Sequence, residues 1–401
     1  MTFSHTRQAC YAAYVTQAIV NNLAPLLFIV FQADYGVPYE MLGRLVLLNF
    51  VTQLITDLAA VAVVDRVGYR RPLVLAHALV AAGLLLLATL PPLAPSPYLG
   101  LALAVVVYGV GGGLLEVLVS PLVEALPGPR ERKAAAMSLL HSFYCWGQVF
   151  VVLGTTLLLA QVGHTRWRSL PLLWTVVPLA NLVVLLRVPM PPTVPVEHRT
   201  SLGRLLGTPA FAVFFVLMLC AGAAELTMSQ WSSLFAEQAL GMPKVWGDLL
   251  GPCLFAVLMG LARFGYGIAG ERIRLVPALA ASGALATACY LVAALAGAPL
   301  ASLVGCALCG LAVSLLWPGT FSLAAARFPV GGAAMFGLLA VAGDAGGAFG
   351  PWLAGLVADL SPAGLRAGVL AGTIFPLGVV LAMLARAVAG RRRAKGYTAL
   401  S

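Results

Sequence analysis

The chain has 401 residues, 61% of them apolar and 9% charged, with a mean hydropathy of +0.96. Soluble domains carry about 25% charged residues, and a soluble fold of this length has too little interior to hide so much apolar surface. The net charge of +10 is then a signal of topology and of attraction to anionic lipid, and nucleic-acid binding is not needed to explain it.

The apolar runs are long, unbroken and rich in Leu, Ala and Val, without the period of two that barrel strands show. A helix needs roughly 20 apolar residues to cross about 30 Å of hydrocarbon. In chain order the predicted spans are 8–32, 41–64, 72–90, 98–125, 134–160, 168–187, 209–236, 247–268, 275–296, 299–325, 332–358 and 366–389. The first is too long and too poor in upstream basic residues for a cleaved signal peptide, so it is expected to remain. The seven cysteines fall inside apolar runs, and Cys306/Cys309 lack the companions that a zinc site needs.

Basic residues set the orientation. With the N-terminus inside, 18 of the 24 Lys and Arg fall on the cytoplasmic side and five outside (Arg44, Arg166, Arg168, Lys244 and Arg366), with Arg263 near a helix end. The most polar interval, Arg187–Thr208, holds four prolines and Glu197-His198-Arg199, and it separates two sets of six spans. The expected organisation is a six-helix bundle at 1–187, a cytoplasmic loop at 188–208, and a second bundle with a basic tail at 209–401. The halves echo each other. Ala-Ala-Met recurs at 135–137 and 333–335, and Pro121 and Pro318 stand late in the fourth span of each half. Parallel repeats of this kind are a transporter architecture.

The turn after span two reads Asp65-Arg66-Val67-Gly68-Tyr69-Arg70-Arg71. It resembles the signature loop of the major facilitator superfamily, Gly-x-x-x-Asp-Arg-x-Gly-Arg-Arg, with Val61 in place of the leading Gly and Tyr69 in place of one base. The resemblance implies an all-α fold of twelve membrane helices in two pseudo-symmetric six-helix bundles. It also implies that Asp65, Arg66, Gly68, Arg70 and Arg71 act as a gating loop. A narrower resemblance, mainly in the first half, is to the fucose-permease-like branch of sugar:proton symporters. It is carried by Asn21-Asn22-Leu23, by Gly113-Leu114-Leu115-Glu116 ahead of Pro121, and by His141-Ser142-Phe143 leading to Gly147. Pro25 stands where that branch has an acid in its first helix.

Ionisable groups in hydrocarbon are costly unless they carry a proton or find a partner. Glu116 in span four and Glu225 in span seven are the candidate proton carriers, and Glu225 reads also as a solute contact; the alternative for each is an interhelical hydrogen bond. Asp344, set among Gly343, Gly346 and Gly347, reads as solute binding or as packing. Asp57 and Asp248 are weaker candidates, and Asp248 also reads as a solvated helix cap. Asn21, Asn22, His141 and Gln148 supply neutral polar groups for a solute, Gln148 lying seven residues beyond His141 on one helix face. Trp146, Trp231 and Trp317 lie deep, where a sugar's C–H face stacks well, although such rings also fill helix interfaces. The scarcity of deep basic residues disfavours an organic anion.

The leading expectation is proton-coupled symport of a small polar solute, such as a monosaccharide, by alternating access. The protein would act as a monomer in the inner membrane, with protons, solute and lipid as its partners and no cofactor or metal. Proton-driven export of an amphiphile is second, because span five has Gly147 and Gly154 but no Pro. A non-transporting receptor on the same fold is third. Enzyme chemistry is not expected, since there is no Gly-x-Ser-x-Gly elbow and no His-Glu-x-x-His.

Overall fold

A computed structural model describes residues 1–127, 130–191, 207–269, 274–328 and 332–384. Within its helices, side chains are described except at 61–66, 121, 124, 130–138, 209, 267–269, 325–326, 332–334 and 336–337. The described residues form twelve helical rods. These are α1 (Phe3–Leu26, continued after a bend as Phe28–Tyr35), α2 (Tyr39–Val67), α3 (Arg70–Thr89), α4 (Pro97–Ala125), α5 (Arg130–Val162) and α6 (Ser169–Trp174 with Val176–Arg187). The second set comprises α7 (Pro209–Gln238), α8 (Lys244–Asp248, a π turn at Leu249–Cys253, then Leu254–Ala269), α9 (Leu275–Leu295), α10 (Pro299–Val313 with Leu316–Arg327), α11 (Gly332–Leu360) and α12 (Leu365–Gly372, then 374–384).

Ten of these helices are long and apolar enough to cross a membrane, and bent α1 makes an eleventh. The twelfth, α11, has 29 residues, ample for about 30 Å at 1.5 Å per residue. Its glycines, Asp344 and Trp352 lower its hydropathy. Every rod coincides with a predicted span to within a few residues, because long apolar runs leave the backbone no other way to satisfy its hydrogen bonds in lipid.

Local chemistry sets the ends. Ser96 accepts a hydrogen bond from the Leu99 amide at 3.2 Å, with Pro97 opening α4. The 44° bend in α1 follows Pro25, whose missing N–H breaks the ladder. Gly68 adopts φ +75° between α2 and α3, a conformation that only Gly takes without strain. Beside it, Arg70 donates to the Val188 carbonyl at 2.8 Å and to that of Leu186, tying the loop to the end of α6. Arg71 is exposed, while the Asp65 and Arg66 side chains lie outside the described residues, as do Glu124, Arg130, Arg132, Lys133, Arg272 and the basic tail.

Without a hydrophobic drive between helices in lipid, packing rests on close fit and small residues. A side chain at Gly222 would strike the Gly343 carbonyl, and one at Gly346 would strike that of Leu219, so the backbones of α7 and α11 lie in direct contact. In the first half α1 packs on α5 and α4, and α3 on α4 and α6. Across the halves α2 packs on α11 and α5 on α8. The large apolar side chains on the periphery, among them Leu172, Leu173, Val176, Leu179, Val183 and Leu186 of α6, are exposed and suited to lipid.

Away from the chain ends, the seam between the halves is closed by specific contacts. The Tyr39 amide donates to Asp359 at 3.1 Å, Trp352 Nε1 to Glu40 at 3.0 Å, and Gln238 Nε2 to Gln32 Oε1 at 2.6 Å. Deeper in, Thr156 of α5 donates to Asp248 of α8 at 2.6 Å. Ser233 also donates to Asp248, and Lys244 pairs with it at 3.1 Å. Asp248 is 1% exposed, so the reading of it as a solvated cap is corrected: it is the buried centre of a clasp between the halves.

Candidate functional site

The polar groups of the first half converge between α1, α2, α4 and α5. On α2, Asn49, Gln53 and Asp57 recur every four residues and so form one stripe. Gln17 and Asn21 stand four apart on α1 and meet it. Gln17 Nε2 donates to Gln53 Oε1 at 2.7 Å and to Glu116 Oε2 at 3.2 Å. The amide oxygen of Asn21 accepts from Gln53 Nε2 at 2.9 Å and from Asn49 Nδ2 at 3.1 Å. Asn21 and Asn22 both point their amides at the Tyr144 hydroxyl of α5, at 3.4 and 3.5 Å. Gly113 permits the convergence, since a Cβ there would lie 2.9 Å from Asp57 Oδ1. The result is a continuous hydrogen-bonded chain from Glu116 to Tyr144, at a depth where every polar group needs a partner.

The second half joins this chain. Gln230 Nε2 donates to the Asn21 carbonyl at 2.8 Å, and Gln148 Nε2 to Ser229 Oγ at 2.9 Å. Small cavities lie between Asn22, Ser229, Gln230 and Pro252, and between Asn21, Asn49, Tyr108 and Gln230. Asp344 is buried, with Oδ2 lacking a partner among the described residues, and it stands within electrostatic range of Glu116 and Asp57. Counted from the helix ends on the side of the termini, the three carboxyls share a depth of about 14–18 Å.

Glu225 stands apart from that cluster and pairs with Arg263 Nη2 at 2.9 Å. The placement of Arg263 at a helix end is incomplete: its backbone lies near the end of α8, but its side chain extends inward to the middle of α7 and to within 3.6 Å of Cys145 Sγ on α5. His141 shares the inward face of α5 with Tyr144, Cys145 and Gln148, meets the Tyr14 ring edge-on at 5.3 Å, and is nevertheless exposed.

The tryptophans divide. Trp231 is buried against Phe28 and Tyr39 and donates to the Pro351 carbonyl at 2.9 Å, filling the seam. Trp317 is half-buried with its ring against Gly343. Trp146 is 47% exposed and lies on a stripe with Leu139, Phe150 and Leu157, opposite the polar face of its helix. It is not brought together with the polar groups. Sequence reasoning missed Gln17, Gln53, Tyr144, Gln230 and Arg263. The four-residue spacing of Gln17 to Asn21 and of Asn49 to Asp57 was a readable signal for part of that set, whereas the pairing of Arg263 with a residue 38 positions earlier was not.

Two six-helix sets meeting along a seam lined with amides and carboxyls are the architecture of a membrane transporter. The sequence profile of the Major Facilitator Superfamily matches residues 10–351, and the chain belongs to that superfamily. A sequence comparison found no matching curated protein. Among solved structures, the chain is similar to the E. coli fucose:proton symporter FucP, with a TM-score of 0.65 at 18% identity over 96% of this chain and 99% of that one. It is also similar to a D-xylose-proton symporter, with a TM-score of 0.74 at 15% identity over 96% and 97% of the two chains. A bacterial homolog of the human lysosomal transporter Spinster, in an inward-facing and occupied conformation, gives a TM-score of 0.75 at 13% identity over 95% and 96%. At these identities the likeness concerns the fold.

Proposed function

We propose that the protein is a proton-coupled symporter of a small polar solute. The observation that carries the reading is the buried hydrogen-bonded chain Glu116–Gln17–Gln53–Asn21–Tyr144, which joins a membrane carboxyl to the amides at the meeting of the two halves. A carboxyl in that setting changes charge when it takes up a proton, and its partners Gln17 and Gln53 reorient with it. The solute binds at the cavities lined by Asn21, Asn22, Ser229 and Gln230, with Gln148 bonded to Ser229 alongside, and His141, Asp344 and Trp317 are assigned to it as further solute contacts. Proton binding matters only through differential affinity between the two states of the carrier.

In this reading residues 1–187 and 209–401 rock as two bodies about the site, the loop 188–208 and both termini are cytoplasmic, and a monomer in the inner membrane suffices. The segment 65–71 steadies one state through Gly68, Arg70 and Arg71, with Asp65 and Arg66 as its charged partners. The sugar:proton neighbours support this reading, and uptake is favoured over export.

Purified protein in liposomes tests it. An inward proton gradient should drive accumulation of a solute from a panel of hydroxylated metabolites, and Glu116→Gln should abolish accumulation while leaving exchange. Accumulation only under the opposite gradient, or undiminished accumulation in Glu116→Gln, would reject the assignment.

A further inference from the structure

Arg263 is held by one good hydrogen bond. A guanidinium presents five N–H donors. Nη2 meets Glu225 Oε2 at 2.9 Å, but Nε reaches the Ser314 carbonyl only at 3.5 Å and Nη1 reaches Cys145 Sγ at 3.6 Å. The contact to the carbonyl is at the outer limit of a hydrogen bond, and sulfur accepts weakly even at its ordinary distance, so two of the five N–H donors have no partner among the described residues. A cation within the span is thus left with donors to spare beside a carboxylate that holds it from one side only. The pair is not sealed: the Arg263 and Glu225 side chains are 22% and 12% exposed. It also touches both halves, through Cys145 of α5.

We propose that Arg263 is the anchor for a carboxylate on the transported solute, and that Glu225 is the group it displaces. This rests on the symport reading and narrows it to a class of solute: small hydroxylated carboxylic acids. The fork of a guanidinium matches a carboxylate in two parallel N–H···O bonds, which the spare donors allow. One exchangeable negative charge matches a monocarboxylate and not a phosphate dianion. Ser229 lies one helical turn beyond Glu225, about 6 Å along α7, and is bonded to Gln148; Gln230 and Asn21 follow. A molecule with its carboxylate on Arg263 therefore meets hydroxyl-binding groups at the distance of two to four carbons.

The exchange balances. Before loading, Arg263 and Glu225 sum to zero charge. On loading, the Arg263–Glu225 hydrogen bond breaks, two bonds to the solute carboxylate form, and the proton that enters from solution at Glu116 is the one that ends in an O–H bond on the freed Glu225 carboxyl. The site again sums to zero, so one proton moves with each carboxylate and the step carries no net charge. The titratable groups facing the pair are His141, Tyr144 and Cys145 of α5 and Cys309 of α10, with Tyr290 of α9 bonded to the Ala224 carbonyl alongside. Asp344 of α11 follows Gly343, whose carbonyl packs on Gly222 of α7. Arg263 is the permanent cation among them.

The test uses full-length protein in liposomes with radiolabelled D-glycerate, D-gluconate and D-glucuronate, beside the uncharged glycerol and D-glucose. An inward proton gradient should accumulate at least one of the acids, and an imposed membrane potential should leave its uptake unchanged. Arg263→Lys keeps the charge but loses the fork, and should weaken apparent affinity for that acid by about tenfold or more. Glu225→Gln should still exchange the acid but no longer respond to the proton gradient, which keeps the proposal open to refutation if Arg263→Lys does not fold. Proton-driven, potential-sensitive uptake of an uncharged probe, with no acid moved, would overturn this proposal and leave the symport reading standing. Movement of no probe under either gradient would overturn both.

Discussion

The clasp around Asp248 offers the sharpest test of how the two halves are held. Thr156 is its only contribution from the first half among the described contacts, donating at 2.6 Å to a carboxylate that is buried and already bound by Ser233 and Lys244. Replacing Thr156 with Val keeps the branched shape and removes only the hydroxyl. A hydrogen bond to a charged group contributes about 1.5–3 kcal/mol, and 1.4 kcal/mol is roughly tenfold in an equilibrium. If the bond exists only while this face of the seam is closed, Thr156→Val should shift the population toward the open state by roughly 10- to 150-fold. Spin labels at Ser96 and Ala363, exposed loop positions on that face in opposite halves, would report the shift as a longer distance in pulsed electron resonance. The seven native cysteines are all free and buried, which favours selective labelling. An unchanged distance distribution in Thr156→Val, with Asp248→Asn equally silent, would refute the idea that this contact holds the seam.

Gly222→Leu should prevent α7 and α11 from meeting and lower stability by about 3 kcal/mol or more, read as a fall in the thermal midpoint in detergent; an unchanged midpoint would show that the backbones need not touch. Arg70→Ala removes donors to the Leu186 and Val188 carbonyls, and should cost about 1 kcal/mol because the site is partly exposed. Its exchange rate should fall without any change in which solute is preferred. Trp146→Leu should leave transport affinity unchanged, since the ring lies on the stripe of Leu139 and Phe150; a large rise in KM would place it in the binding site instead.

The twelve rods were legible because a lipid-spanning backbone has one solution, and runs such as 98–125 or 209–236 state it without ambiguity. The polar residues were legible as candidates, because hydrocarbon makes Glu116, Glu225 and Asp344 conspicuous. What they touch was not. Trp231 and Trp146 look alike in sequence, yet one fills the seam and the other faces outward, a difference set by a rotation of their helices that apolar runs on all sides do not encode. Asp248 looked like an ordinary helix start, because Thr156, 92 residues earlier, and Ser233 of the preceding helix enclose it only once the chain has folded. Arg263 was discounted for its position near the end of α8, whereas a long side chain carries its charge several ångströms from its own backbone.

The backbone contact between α7 and α11 has a mechanical consequence. Rods separated by side chains can slide as those side chains change rotamer, but Gly222 on Gly343 and Gly346 on Leu219 leave nothing to yield. The two helices must then travel as one stiff beam. Glu225 is fixed to one member and Asp344 to the other, so a push on either acid displaces its counterpart by the same stroke without any wire of contacts between them.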